Sequence, residues 1–381
     1  MPCIKCNLIW EIIVKIILLF IIVIHGLIHI LGFIKAFNLA EVNQLTRTIS
    51  RPIGIFWLTT TLLFVLTAIL FLFDKDYWWI AGSAAVILSQ ILIISSWHDA
   101  KFGTIANLIL LLPLIIAFAD FQPTSYKNLF KAEVEKELKH YSKQNILTMD
   151  DIKNLPLPVR NYIIYTCSLG KEKVQNIRAA CSGEIKPKPE SGFLDFNSIQ
   201  YNFIDTPIRA FYIKSKMYGL PFDGLHLYVG SNATMQIKIS SLFQVVDAKG
   251  LKMNKGETVT MFNDMCFFAP ASLISKNIEW QTIDSLTVKA KFTNQCNTIT
   301  AILYFNKKGE LINFSSNDRY ESADGIIYKS YEWTTPIKNY KDFHGRKLAS
   351  YGEAIWHKPE GEFCYGKFNI VDVEYNCKAY K

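Results

Sequence analysis

His25 and His29 stand four residues apart in the run His-Gly-Leu-Ile-His-Ile-Leu-Gly. On a helix this spacing projects two imidazoles from one face, about 6 Å apart along the axis. A second polar group follows at Ser95, Ser96, His98, Asp99 and Lys101, with Gln90 shortly before it and Asn107 shortly after. The residues around both groups are strongly apolar. Ionisable side chains in such surroundings are costly and mark functional sites. His25, His29, Gln90, His98, Asp99 and Lys101 therefore form a candidate intramembrane polar cluster. Its chemistry would be a proton relay, a metal or haem ligand pair, or a headgroup site. The plainer alternative is neutral imidazoles that hydrogen-bond between helices and hold them together.

Elsewhere chemistry is sparse. The chain has no G-x-S-x-G, no H-E-x-x-H, no Walker A loop and no G-x-G-x-x-G after a strand. His140, His226, His344 and His357 are far apart, and none has a partner at metal-ligand spacing. Cys3 and Cys6 form a C-x-x-C at the N-terminus, but a zinc site would want a second pair, and none stands at fitting spacing. Cys167, Cys181, Cys266, Cys296, Cys364 and Cys377 allow up to three disulfides, of which one or two at most are expected. No catalytic residue, metal set or cofactor is assigned, and the protein reads as a binding protein more than an enzyme.

The elements that must position these residues fall into two parts. Residues 1–120 carry 7 Lys+Arg and 6 Asp+Glu, whereas the rest carries 34 and 27. The apolar part holds four stretches of about 20 residues, at about 12–33, 53–73, 78–97 and 103–121, each long enough to span a bilayer. Trp57, Tyr77, Trp78, Trp79 and Trp97 lie near their ends, where amphipathic aromatics collect. Lys35, Arg47, Arg51 and Lys101 fall in the first and third loops, against Lys75 in the second. The positive-inside rule then places the first and third loops in the cytoplasm. The expectation is a multi-pass protein of the plasma (inner) membrane, with the C-terminal domain on the non-cytoplasmic side. A composition that is 50% hydrophobic excludes a disordered chain, and a net charge of +8 without a basic patch argues against nucleic acid as a partner.

Residues 122–170 read as a helical connector. Leu129, Phe130, Val134 and Leu138 share a face, and Thr148 with Asp151 suggests a capping box. Residues 171–381 read as an antiparallel β domain of short strands separated by turns, such as Asn306-Lys307-Lys308-Gly309. The segment 257–274 interrupts them with Met261, Phe262, Met265, Phe267, Phe268, Leu273 and Ile274, and is too apolar to stay in water. It should be a helix and a Pro270 loop packed on the sheet. The fold class expected is a membrane α-helical bundle followed by a mainly β (α+β) domain, a curved antiparallel sheet or half-barrel with packed helices.

The run Leu155-Pro156-Leu157-Pro158-Val159-Arg160-Asn161-Tyr162 resembles the opening of an uncharacterised bacterial domain-of-unknown-function family. Later landmarks occur in the same order: Tyr228-Val229-Gly230, Phe268-Ala269-Pro270, Ile278-Glu279-Trp280, Arg319-Tyr320, Trp333, Trp356, and Gly361-Glu362-Phe363-Cys364-Tyr365. The resemblance covers roughly residues 147–375. His25 to His29 and Asp99 to Thr104 are similar to the version with a helical membrane region. The family carries no assigned activity, so it transfers no catalytic residue. Its domain is similar to the half-barrel of periplasmic lipoprotein carriers, which implies an apolar concavity only at the level of fold.

Two functions follow. In the first, the domain binds an acyl chain, a lipid or another apolar ligand, with Phe203, Phe211, Tyr212, Met235, Phe262, Phe267, Phe268 and Trp280 as candidate pocket residues. Membrane lipid and an apolar small molecule or a lipoprotein would be its partners. The alternative is a membrane redox or proton-relay protein built on the intramembrane histidines.

Overall fold

The computed structural model describes residues 4–217, 220–322 and 325–381, with side chains from Ile12 onward apart from that of Met217. Cys3 and the side chain of Cys6 lie outside the described residues. Two compact units divide the chain, residues 1–125 and 126–381.

The first unit consists of helices α1 (Ile4–Ala36), α2 (Arg51–Leu72), α3 (Trp78–Ser95), the single turn α4 (Trp97–Ala100) and α5 (Gly103–Phe121). Four of these are long and apolar enough to cross a membrane. Ile22, Phe64, Ala85, Val86, Leu110 and Leu114 pack between them. Outward-facing positions such as Ile16, Phe20, Leu62, Ile94 and Leu108 stay exposed, as a lipid-facing surface requires. Gly26 and Gly32 let α2 come close: a side chain at either position would collide with Phe64 or Trp57.

The second unit opens with α6 (Tyr126–Leu138), the capped turn α7 (Met149–Ile152) and α8 (Leu157–Tyr165). At the turn, the Asp151 carboxylate accepts the Thr148 N–H at 2.9 Å. Six strands follow as a meander: β1 (Asn176–Ile185), β2 (Leu194–Phe203), β3 (Ile208–Met217), β4 (Leu220–Val229), β5 (Asn232–Ile239) and β6 (Phe243–Lys249). Helix α9 (Leu251–Phe268) and the 3-10 turn Pro270–Ile274 then lead to β7 (Ile278–Thr282), β8 (Thr287–Asn294), β9 (Asn297–Phe305) and β10 (Leu311–Ser316). After the short pair β11 (Tyr320–Glu321) and β12 (Lys329–Ser330) come β13 (Glu332–Thr334), β14 (Ile337–Phe343), β15 (Arg346–Lys358) and β16 (Gly361–Tyr375). The hairpin between β9 and β10 turns at Gly309, whose φ of 84° suits a residue without Cβ.

The strands form one antiparallel sheet of 14, in the order β6-β5-β4-β3-β2-β1-β16-β15-β13-β10-β9-β8-β7, with β14 on β15. Helix α9 touches β4, β5 and β6 toward one end and β9 and β15 on the other side. A flat sheet could not reach the helix from both sides, so the sheet curves around it. Register shifts at Ala180/Cys181, Ile237/Lys238, Leu311/Asn313 and Ala354/Ile355 supply local bends. The segment 257–274 is therefore enclosed by the sheet, with 15 of the 18 residues of α9 buried. Helix α6 packs on β3 and β4 through Tyr126, Phe130, Val134 and Leu138, so this part of the connector stretch belongs to the domain's own packing.

Candidate functional site

Alternate residues of a strand face opposite sides of a sheet, and this rule decides which side chains reach the concave face. On β2 and β3, Tyr201, Phe203, Ile208, Ala210 and Tyr212 pack outward, in the cluster that includes α6. Gln200, Arg209, Phe211 and Ile213 point the other way and line a cavity of about 360 Å³ between the sheet and α9. Register carries the same face across the strands: Gln200 opposes Phe211, Phe211 opposes His226, His226 opposes Met235, and Met235 opposes Ala248. All five border the cavity. Helix α9 closes it with Glu257, Thr260, Asp264, Phe267 and Phe268, while Phe262, on the other face, stacks on Phe292 with ring centroids 5.2 Å apart.

Of the eight candidate pocket residues, Phe211, Met235, Phe267 and Phe268 line the cavity. The other four do not. Phe203 and Tyr212 are on the convex face. Phe262 is in the core, where Trp280 packs beside it. Neighbours such as Phe211 and Tyr212 cannot share a face, and composition alone does not tell which of two adjacent aromatics turns inward.

One wall of the cavity is charged. Arg209 donates to Asp264 at 2.7 Å and to Glu257 at 3.2 Å, and its guanidinium lies 4.7 Å from the Phe211 ring. Gln200 and Asn202 also donate to Asp264, at 3.1 and 3.0 Å. The buried acids are thus both paired, as a low-dielectric site demands. His226 stands 3.9 Å from Glu257, too far for a hydrogen bond, and burial pushes its imidazole below the ordinary value. Burial alone would raise the Glu257 carboxyl. The adjacent His226 and the charges of Arg209 and Arg319 outweigh it and hold it down at about 2.

A second constellation borders the same cavity. Arg319 lies over Trp333 at 4.4 Å and Trp356 at 5.4 Å. Its Nη1 donates to the Tyr365 hydroxyl at 3.0 Å and its Nε to Thr260 Oγ1 at 3.2 Å. Trp333 Nε1 donates to the same Tyr365 oxygen at 3.2 Å. Sequence reasoning missed Arg209, Glu257, Asp264 and Arg319 as site residues. A signal was there for the last: the landmarks Arg319, Trp333, Trp356 and Tyr365, far apart in the chain, converge on this one spot.

Among the apolar helices of the first unit, the polar cluster divides. His25 Nε2 is 2.9 Å from Asn107 Oδ1 and 3.2 Å from Ser89 Oγ. Asn107 donates to Gln90 Oε1 at 3.0 Å, and Gln90 donates to Thr104 at 3.1 Å. His29 Nδ1 donates to the His25 carbonyl at 2.8 Å and packs against Trp57 and Phe64. His98 and Asp99 instead pair with each other at 2.8 Å, and Asp99 accepts the Thr46 N–H at 2.7 Å and its hydroxyl at 2.8 Å. Lys101 lies over the Phe102 ring at 5.4 Å. Among the described residues no hydrogen bond or ion pair joins His29 to His98 or Asp99, because Asp99 is taken up by the loop between α1 and α2. A relay through all six residues would need that link. Among the described residues no cluster of His, Cys, Asp or Glu could hold a metal ion, and the thiols of Cys167, Cys181, Cys266, Cys296, Cys364 and Cys377 are unpaired.

Comparison with known proteins gives a family and a set of distant structures. The family of unknown function DUF6544 matches residues 145–368. No curated protein matches the chain. A putative outer membrane lipoprotein-sorting protein domain from Vibrio parahaemolyticus is 11% identical, over 54% of this chain and 87% of that one, with a TM-score of 0.33. A LolA superfamily protein from Nitrosomonas europaea is 8% identical, over 57% and 93%, also with a TM-score of 0.33. A DUF1329 family protein from Desulfovibrio piger is 10% identical, over 58% and 93%, with a TM-score of 0.35.

Proposed function

The chain belongs to DUF6544, a family of unknown function, and on that premise we propose that its β domain binds an acyl chain or another apolar molecule in the cavity between the sheet and α9. The observation that carries this reading is the cavity itself, about 360 Å³ and bordered by Phe211, Met235, Phe267, Phe268 and Phe368. Small-molecule sites are concave, mostly apolar, and carry a few placed polar groups. The volume lies near the lower end of their range of roughly 300–1,000 Å³, which suits one chain better than two. An apolar cavity left empty costs stability in proportion to its volume. The cavity borders the domain's main core, in which Phe262, Phe292 and Phe314 pack in the same cluster as Phe267 and Phe268.

In this reading the four apolar helices anchor the domain in the plasma (inner) membrane, and the domain lies on the non-cytoplasmic side. The Lys/Arg bias of the short loops supports that side. Membrane lipid, a lipoprotein's acyl chain or a free apolar molecule would be the cargo. The test is photolabelling of the full chain in lipid nanodiscs with a hydrocarbon chain carrying a diazirine. Labelled peptides from β3, β5 and α9 support the reading. Labels confined to α1–α5 contradict it.

A further inference from the structure

Two residues of the cavity lining, Arg319 and Tyr365, leave hydrogen-bond donors unused among the described residues. A guanidinium has five N–H groups. Arg319 commits one to Thr260 and one to Tyr365, and its nearest carboxylate, Glu257, is 4.0 Å from Nη2. Among the described residues, three N–H groups therefore have no acceptor within hydrogen-bond distance. The Tyr365 oxygen already accepts from Arg319 and Trp333, so its own O–H is left to donate. Both residues line the cavity.

The cavity lining holds four basic and four acidic side chains, so its charges balance in number. Arg209 and Arg319 face Glu257 and Asp264, and Glu321 pairs with Lys358 at 2.5 Å. Lys252 joins none of these pairs. It is exposed at the cavity edge, about 6 Å from the rings of Tyr320 and Tyr328, and no carboxylate pairs with it among the described residues. It precedes by one helical turn Gly256, beside which the Arg319 side chain lies. Arg319 and Lys252 thus border the same cavity as Phe211 and Met235.

Resting on the function proposed above, we infer that the cargo is a single-chain amphiphile whose head is an oxyanion, a carboxylate or a phosphate monoester. The head is received by Arg319 and Tyr365, with Lys252 at the entrance, and the chain lies among the aromatic side chains. An oxyanion supplies the acceptors that the unused donors lack. Charge-assisted hydrogen bonds from a guanidinium are among the strong ones in proteins.

The test compares photoactivatable probes with the same chain on the full protein in nanodiscs of zwitterionic lipid: a fatty acid, a lysophosphatidic acid and a fatty alcohol. The expected result is labelling of cavity peptides by an acid probe at least tenfold above the alcohol. Whichever acid labels more strongly names the source of the oxyanion. In Arg319→Gln the preference should fall toward unity while alcohol labelling persists, and Arg319→Lys should retain part of it. Equal labelling of the wild-type cavity by acids and alcohol overturns this inference and leaves the apolar-cargo reading standing. Absence of cavity labelling by all three overturns both. The wild-type comparison decides the matter even if a variant fails to fold.

Discussion

Arg209 is the residue on which the cavity's charged wall depends. It holds two buried carboxylates at 2.7 and 3.2 Å. Truncating it leaves both without their main counter-charge, and breaking a buried pair in this way costs about 3–5 kcal/mol. Arg209→Ala should therefore lower the melting temperature sharply, measured by circular dichroism on the full chain. Glu257 gives the pH dependence. Its ordinary value is 4.5 and its folded value about 2. The unfolded chain binds more protons between these values, so the contribution is complete above pH 4.5 and is lost as the pH falls toward 2. Glu257→Gln should flatten that acid limb of the melting curve, and an unchanged limb would assign it to other carboxylates. None of these roles was legible in the chain. An Arg on a strand and two acids on a helix look like solvated groups until the fold brings them together, 48 and 55 positions apart.

At the scale of elements, α9 has two working faces. Phe262 is sealed against Phe292 and Phe314, whereas Phe267 borders the cavity. Phe262→Ala should cost about 3–5 kcal/mol, as for a filled core. Phe267→Ala should cost less than half as much and should weaken retention of an apolar probe. Equal losses of stability would mean that the cavity wall is part of the sealed core. In the membrane unit, Thr46 meets Asp99. Cysteines placed at 46 and 99 should crosslink readily, and cysteines at 29 and 98 should not; the reverse would restore a continuous polar cluster. The strands were legible where large β-branched and aromatic residues alternate with polar ones, as along β3. The central strand β1 was not legible: Ala179, Ala180, Ser182 and Gly183 give it no alternation of large apolar groups. The apolar segment 257–274 was recognised as a packed helix, but not as one surrounded by the sheet, because its Glu257 and Asp264 find their counter-charge only in the tertiary fold.

On the scale of the whole molecule, four helices long and apolar enough to cross a membrane precede the β domain, and the proposed function has them anchor it. The chain should stay in the pellet after carbonate washing and leave it only in detergent. Protease added outside spheroplasts should digest residues 126–381, and protection there would place the domain on the cytoplasmic side. The central claim is that the cavity between the sheet and α9 holds an apolar chain. Native mass spectrometry of the full protein, released from detergent in the gas phase, tests it most directly when wild type is compared with Met235→Trp, which fills the cavity from β5. The account predicts a wild-type species heavier by one single-chain lipid that survives removal of loosely held lipid and is missing from Met235→Trp. The same bound adduct on both proteins, or none on either, with the variant folded, would contradict it.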